Sequence, residues 1–334
     1  MSASTQGESR LSRWWRALKA SWTVFWYKPI AAERLALVRI TTALAVLTDM
    51  LVQQLPYYSI LYGPEGLAPH GYSESALLRG WRLTGYFFTT TDFTVYTITY
   101  IAWAIVMVLM AFGVRTRIVT ILAWLLTMAF IHRNFHSKNF GDSVVRISVF
   151  LLMFMPCGDA LSWDAWKRRG RALVPTLHAP WGVRIFQIQL CAMYTATGVS
   201  KLTGGGNSTW FDGTTLFYVY NDIILTRVSY VQLPLPAWLS PPLTYIALIW
   251  ELLFIPFVIW SRTRRWVLYF GIAFHLTVFL TIEVGWFGFF ALSWYCAWIP
   301  DGWIRNRLYP WLWKRVPRWG RTAEGEPAME PGQV

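Results

Sequence analysis

A lysine closes an apolar run in this chain. Gly198-Val-Ser-Lys-Leu202 ends the run from Ile185 to Val199 and leads into Gly204-Gly-Gly-Asn-Ser-Thr-Trp-Phe-Asp-Gly213. An amine so placed snorkels to a polar interface, pairs with a buried partner, or works as a desolvated base. Other groups able to do chemistry fall in or beside further apolar runs: Asp49, His132, His136, Asp142, Arg146, Glu251, His275 and Glu283. His132 and His136 are one helical turn apart and could share a metal, or hold a haem with His275. The chain has 5 histidines, too few for a membrane di-iron centre, and we assign no metal site. Asp142 and Arg146, four residues apart, are placed to form an ion pair along a helix. Gly204-Gly-Gly lacks the strand, the Lys-Ser/Thr and the helix start of a phosphate loop, so it reads as a turn. Asn207-Ser-Thr is a glycosylation sequon that matters only in a secretory pathway.

Composition says what must position these groups. Of 334 residues, 55% are apolar and 14% charged, where soluble domains carry about 25% charged. The 22 tryptophans fit aromatic belts at membrane interfaces better than a soluble core. The expected fold is therefore an all-α, polytopic membrane bundle. A net charge of +13 would point to nucleic acid in a soluble protein, but here it reflects cytoplasmic loops and anionic membrane lipid. Cys157, Cys191 and Cys296 all lie in apolar runs, which argues against a disulfide framework. No apolar core with a small-residue cleavage site marks a signal peptide.

Eight spans are predicted, near 33–55, 93–113, 117–134, 143–158, 183–202, 241–261, 265–283 and 285–300. Residues 8–26 put Leu11, Trp14, Trp15, Leu18, Trp22 and Phe25 on one face, with Arg10, Arg13, Arg16 and Lys19 largely elsewhere. That pattern is an interfacial helix on the cytoplasmic leaflet. Lys and Arg concentrate in this segment, in alternate loops and at 305–321, which puts both termini in the cytoplasm. The expected organisation is an amphipathic segment at 1–28, a transmembrane domain at 29–303, and a basic interfacial segment with a disordered tail at 304–334. The outer connections, 56–92, 134–142 and 203–240, are read as folded caps. On this topology nearly all the ionisable residues named above fall in the outer half of the membrane. Such costly groups face a cavity or one another, so an outer-facing cavity is expected.

Several segments, taken in order, carry a resemblance. Gln187-x-Gln189 through Tyr194, Gly198-Val-Ser-Lys201-Leu and Trp210-x-x-Gly213 resemble the signature of the HTTM (horizontally transferred transmembrane) family. This is the membrane domain shared with vitamin K-dependent gamma-glutamyl carboxylase. Arg39, Tyr62-Gly63-x-x-Gly66-x-x-Pro69, Arg133-Asn134, Gly141-Asp142, Arg146, Ser162-x-Asp164, Glu251 and Phe274-His275 support it. The resemblance implies that Lys201 is the base that deprotonates reduced vitamin K or menaquinone. Oxygen then converts the quinol to a strong base that removes a γ-proton from a substrate glutamate before carbon dioxide adds. It further implies that His136, in Asn134-Phe-His136-Ser137, and His275 assist. Trp210, Gly213, Gln189 and Glu251 would shape the cofactor site, with Gly213 turning the backbone beside the indole. A dry site would protect the strong base from water.

The animal carboxylase carries a large non-membrane region that binds its peptide substrate, and no counterpart is expected here. The implied protein is a multi-pass protein of the cell membrane, in bacteria the inner membrane. Its class is a quinone-using, lyase-like carboxylase acting on a peptide or protein. The alternatives are a non-catalytic membrane accessory or scaffold for peptide maturation or export, and a transporter coupled through Glu251 and Lys201. A transporter usually shows paired halves, and no internal repeat is visible here.

Overall fold

Two short contacts at one end of the molecule explain why its helices start and stop where they do. A computed structural model describes residues 10–67, 92–133, 139–170, 172–203, 208–227 and 234–316. Among the described residues the fourth helix, α4 (Phe93–Phe112), follows α1 (Arg10–Tyr27), α2 (Glu33–Asp49) and α3 (Tyr58–Tyr62). It begins with the Asp92 carboxylate accepting the Thr94 amide and ends on Gly113 at φ +69°. A Cβ on Gly113 would lie 2.4 Å from the Ser162 side chain and 3.0 Å from the Arg39 guanidinium, so glycine serves both the left-handed turn and the close approach.

Arg39 on α2 is fully buried. It donates to the carbonyls of Cys157, Leu161 (2.6 Å) and Ala111 (3.5 Å). One guanidinium therefore gathers α2, the end of α4 and the turn after α6 (Phe140–Phe154). Between them, α5 (Thr116–Arg133) is capped by a residue from elsewhere. Asp164, on α7 (Trp163–Arg169), accepts the amides of Arg115 and Thr116, each at 2.8 Å, and the Thr116 hydroxyl at 2.7 Å. A carboxylate there satisfies orphan donors and complements the helix dipole. Asn139 and Asp142 make a reciprocal capping box at the start of α6.

The chain continues through α8 (Trp181–Thr203), α9 (Ser208–Phe211), α10 (Thr215–Asn221), α11 (Ser240–Leu252), α12 (Phe254–Ile259), α13 (Ser261–Thr281) and α14 (Phe287–Tyr295). The described residues end in a helix formed by α15 (Asp301–Trp303), a π-turn (Ile304–Leu308) and α16 (Tyr309–Arg315). Apart from a two-residue antiparallel pair, Ile30–Ala31 with Leu177–His178, and an isolated antiparallel bridge between Thr226 and Ile282, the described residues are helical and irregular. The core is shared by α2, α4, α6, α8 and α14 through residues such as Val38, Met107, Val149, Phe186 and Trp294. Trp294 and Trp103 are satisfied by the hydroxyls of Ser148 (2.7 Å) and Thr127 (3.2 Å).

All eight predicted segments fall on helix, with two differences. The segment predicted at 241–261 is two helices, because Pro256 has no amide to give the carbonyl of Leu252, and the chain bends at Leu253. The segment predicted at 285–300 keeps only nine helical residues before a 3-10 turn at Cys296–Trp298. Among the described residues, Glu33–Tyr62 and Phe93–Phe112 are long and apolar enough to cross a membrane, and Thr116–His132 is apolar but shorter. Outward faces are apolar too: Ile98, Ile101 and Ile105 on α4, Ile118 and Leu122 on α5, and Leu276 and Leu280 on α13 are exposed. The tail predicted within 304–334, most of the loops predicted at 56–92 and 134–142, and parts of that at 203–240 lie outside the described residues.

Burial pushes the Asp164 carboxyl up, but the hydrogen bonds from Thr116 and Arg115 and the charge of Arg168 outweigh it. The group is thus held below the usual carboxylate range. A depressed carboxylate stabilises the fold above its unfolded value, near pH 4, and loses that contribution as pH falls through its folded value. Asp164→Asn is expected to lower the melting temperature at pH 7. The gap from wild type should narrow below about pH 4 in detergent-solubilised protein followed by thermal unfolding. A gap that stays constant with pH would mean that the cap works without its charge.

Candidate functional site

Along one face of α8 run Arg184, Gln187, Tyr194, Gly198 and Lys201, spaced so that successive helical turns present them together. The first two serve structure. Arg184 donates to the Gln187 side chain at 2.7 Å, and Gln187 donates to the Ala297 carbonyl at 2.8 Å.

Tyr194 is the centre of a buried triad. Its hydroxyl is 2.6 Å from Nε2 of His275 on α13 and 2.6 Å from the Tyr295 hydroxyl on α14. Nδ1 of His275 has no hydrogen-bond partner among the described residues. Protonating Nε2 leaves only a lone pair at Nδ1, which costs less to bury than an orphan N–H. The Tyr194 ring packs 4.5 Å from Trp250 and 4.4 Å from Phe254, centroid to centroid. Gly271 makes room for the triad, since a Cβ there would lie 1.9 Å from the Tyr295 hydroxyl.

One turn beyond Tyr194, α8 crosses the end of α11. A Cβ on Gly198 would stand 3.1–3.2 Å from the side chain and amide of Leu252, so the two backbones approach closely at that point. The crossing carries Lys201 Nζ to 2.6 Å from Glu251 Oε2. The helix break at Leu253 makes Glu251 a helix-end residue whose carboxylate faces α8. The Glu251 side chain is 7% exposed and that of Lys201 21%, so the pair is largely desolvated with the amine on its open side. The Trp210 ring stands over that amine, 4.4 Å from Nζ to the ring centroid.

Trp210 is held by the segment that bears it. Gly213, at φ +79°, lies where a Cβ would meet Pro241 Cα at 2.7 Å. Its carbonyl accepts from Ser240 (2.8 Å) and Thr244 (3.1 Å), and the Phe211 carbonyl accepts from Tyr245 (2.7 Å). The cap is therefore fastened to the start of α11, whose other end carries Glu251.

Gln189 faces elsewhere. With Ser143, Ile147, Ala196, Thr197 and Ser200 it lines a groove of about 450 Å³ between α6 and α8. Thr197 joins the two places, because its hydroxyl also reaches the Glu251 carboxylate. His136, with Asn134 and Ser137, lies outside the described residues. The remaining polar groups expected in one outer layer form separate networks. Asp49 accepts from Gln54 (2.6 Å), Asp142 caps α6, and Glu283 pairs with Arg227 (3.1 Å). Among the described residues no three His, Cys, Asp or Glu side chains gather as a metal would require.

Lys201, Glu251, Trp210 and Gly213 are thus brought to one place, and His275 to the adjacent triad. Sequence reasoning passed over Tyr194 and Tyr295 as site residues. Tyr194 was accessible from spacing, two turns before Lys201 on the same face, whereas nothing local marks Tyr295. Removing one member of a desolvated ion pair strands the other. Lys201→Met and Glu251→Leu should each destabilise the protein by ~3 kcal/mol, while the double variant costs less than either single. Thermal unfolding of the three variants in detergent reads this, and additive losses would show that the two groups do not act as a pair.

The HTTM domain family model matches residues 27–303. Among curated proteins and among solved structures, comparison finds no match to this chain. The matched span contains helices α2 to α14, the Lys201–Glu251 pair and the cap that holds Trp210. This chain belongs to the HTTM domain family, a family of transmembrane domains associated with vitamin K-dependent carboxylase.

Proposed function

We propose that the protein is a multi-pass membrane enzyme that uses a reduced quinone, with Lys201 as the base that takes its phenolic proton. The observation that carries this reading is the Lys201 amine, 2.6 Å from Glu251 and 4.4 Å from the Trp210 ring. The residues fit such a ligand. A hydroquinone is flat, aromatic and lipid-soluble, and the site offers the Trp210 indole beside a single amine–carboxylate pair. When bound, the quinol supplies reducing equivalents for reaction with oxygen.

The chain's own groups have separable tasks in this reading. Glu251 orients the amine and balances its charge, so that Nζ points to the open side under Trp210. The base acts as the neutral amine, with the pair's proton passed to Glu251; the phenolic proton taken at Nζ then makes an ammonium that stays hydrogen-bonded to Glu251 and is balanced by the quinolate. Trp210 covers the amine and excludes water, which strengthens these interactions. The His275–Tyr194–Tyr295 triad fixes α8 against α13 and α14, and so fixes the depth of Lys201. The same reading takes His136 to act beside Lys201 and Gln189 to line the approach.

Eight membrane crossings are part of the proposal. It rests on eight helical segments, an apolar outer surface and the asymmetry of basic residues, with both termini cytoplasmic and, in a bacterium, the inner membrane as the site. The second reading is a non-catalytic accessory or scaffold for peptide maturation or export. What favours it is the closure of the pair: a salt bridge at 2.6 Å also serves simply to lock α8 onto α11.

Turnover separates the two. Purified protein in lipid is given reduced menaquinone or vitamin K with oxygen and bicarbonate, and quinone epoxide is followed. Wild type should form epoxide, and Lys201→Ala should lose at least about 10²-fold in rate, the ordinary contribution of a general base. Absence of epoxide from wild type, with quinone shown to bind, would leave the scaffold reading.

A further inference from the structure

The C-terminal helix, residues 301–315, is pinned along one face. Asp301 pairs with Arg34 at 2.8 Å, the Tyr309 hydroxyl donates to Glu33, and the Trp313 indole donates to the Leu173 carbonyl at 3.2 Å. Ile304 and Tyr309, five residues apart, are both fully buried. The π-turn at Ile304–Leu308 makes that possible, because its wider turn returns to the same face after about five residues rather than four.

The opposite face is turned outward. Trp303 is 49% and Trp311 51% exposed, and Arg307 and Lys314 are exposed between and beside them. Among the described residues no carboxylate pairs with either cation. These four, with Asn306 and Pro310, line a groove of about 720 Å³. Arg315 stacks on Trp311 at 4.1 Å and adds a third positive charge.

A second basic, tryptophan-rich helix meets the same end of the molecule. Phe25 of α1 accepts from Arg184, at the start of α8, at 3.0 Å. Arg184 in turn lies within electrostatic reach of Arg34 and Asp301. On α1, Trp14, Trp15, Leu18 and Trp22 are all about half exposed or more. Half-exposed indoles alternating with cations match the boundary between lipid headgroups and acyl chains. Nucleic acid would use the charges but leave the indole and leucine faces in water.

We propose that the groove formed by Trp303, Arg307, Trp311 and Lys314 binds an anionic phospholipid, with the two cations on its phosphate. The indoles lie against the glycerol and upper acyl region, and Asn306 offers an amide to the headgroup. This does not rest on quinol chemistry at Lys201. It requires only that this end of the molecule meet a lipid surface, so failure of one leaves the other standing.

The test uses full-length protein in detergent with equimolar phosphatidylglycerol and phosphatidylcholine, and native mass spectrometry counts bound lipids. Two cations at a surface correspond to a preference of roughly 30-fold for phosphatidylglycerol in wild type. Arg307→Gln with Lys314→Gln should bring the ratio close to one. Arg307→Lys with Lys314→Arg, which keeps both charges in the groove, should leave it unchanged. Trp311→Ala should weaken binding of both lipids at constant charge, with an unaltered thermal unfolding profile showing that each variant is folded. An unchanged ratio in the Arg307→Gln/Lys314→Gln variant, an equal loss in the charge-keeping Arg307→Lys/Lys314→Arg variant, or displacement of the lipid by equimolar inorganic phosphate would each overturn the proposal.

Discussion

The pairing of Lys201 with Glu251 depends on how closely two helices can approach. Gly198 lets the backbone of α8 come against Leu252, and without that contact the amine and carboxylate would not stand 2.6 Å apart. An ammonium taken out of water carries a desolvation penalty of several kcal/mol, offset only when its counter-ion is fixed in good geometry. The surrounding structure supplies that fixity. The break at Leu253 presents the carboxylate at a helix end, and the cap fastened through Gly213 brings Trp210 over the amine.

Around this pair the polar groups are partitioned rather than pooled. His275 Nε2 and the hydroxyls of Tyr194 and Tyr295 bond one another within the packed aromatic layer of Trp250 and Phe254. Asp49 and Gln54 form another network at the π-turn of α2, where Tyr100 donates to the Met50 carbonyl. In a low-dielectric interior each network must close on itself or cost stability, which is why separate helices carry matched partners. The amine of Lys201 is different in keeping an open side. Its side chain is 21% exposed, whereas His275 is 1% exposed.

The opposite end of the bundle works by other means. Arg39 and Asp164 satisfy carbonyls and amides at helix ends, tasks of connection rather than chemistry. The C-terminal helix closes over the start of α2 through Glu33 and Arg34, and leaves its tryptophans and cations facing out. Buried charge there joins the elements together, and exposed charge sets how that end meets its surroundings.

Helices, their approximate limits and the membrane-domain family were legible in the sequence, because hydropathy and apolar runs are local properties of the chain. So was Lys201, since a lysine closing an apolar run stands out without reference to any partner. Gly213 came from the family resemblance, and the structure puts it at φ +79°, where the backbone turns. What the sequence could not decide was who meets whom. Glu251 is fifty residues from Lys201, and nothing local distinguishes it from Asp49 or Asp142 as the partner. Tyr295 joins Tyr194 only because α13 and α14 pack on α8, and Asp164 caps α5 from nearly fifty residues away. Local pattern states that a buried group needs a partner. Only the crossing of particular helix faces, set by side-chain volume at contacts such as Gly198 against Leu252, selects which one it has.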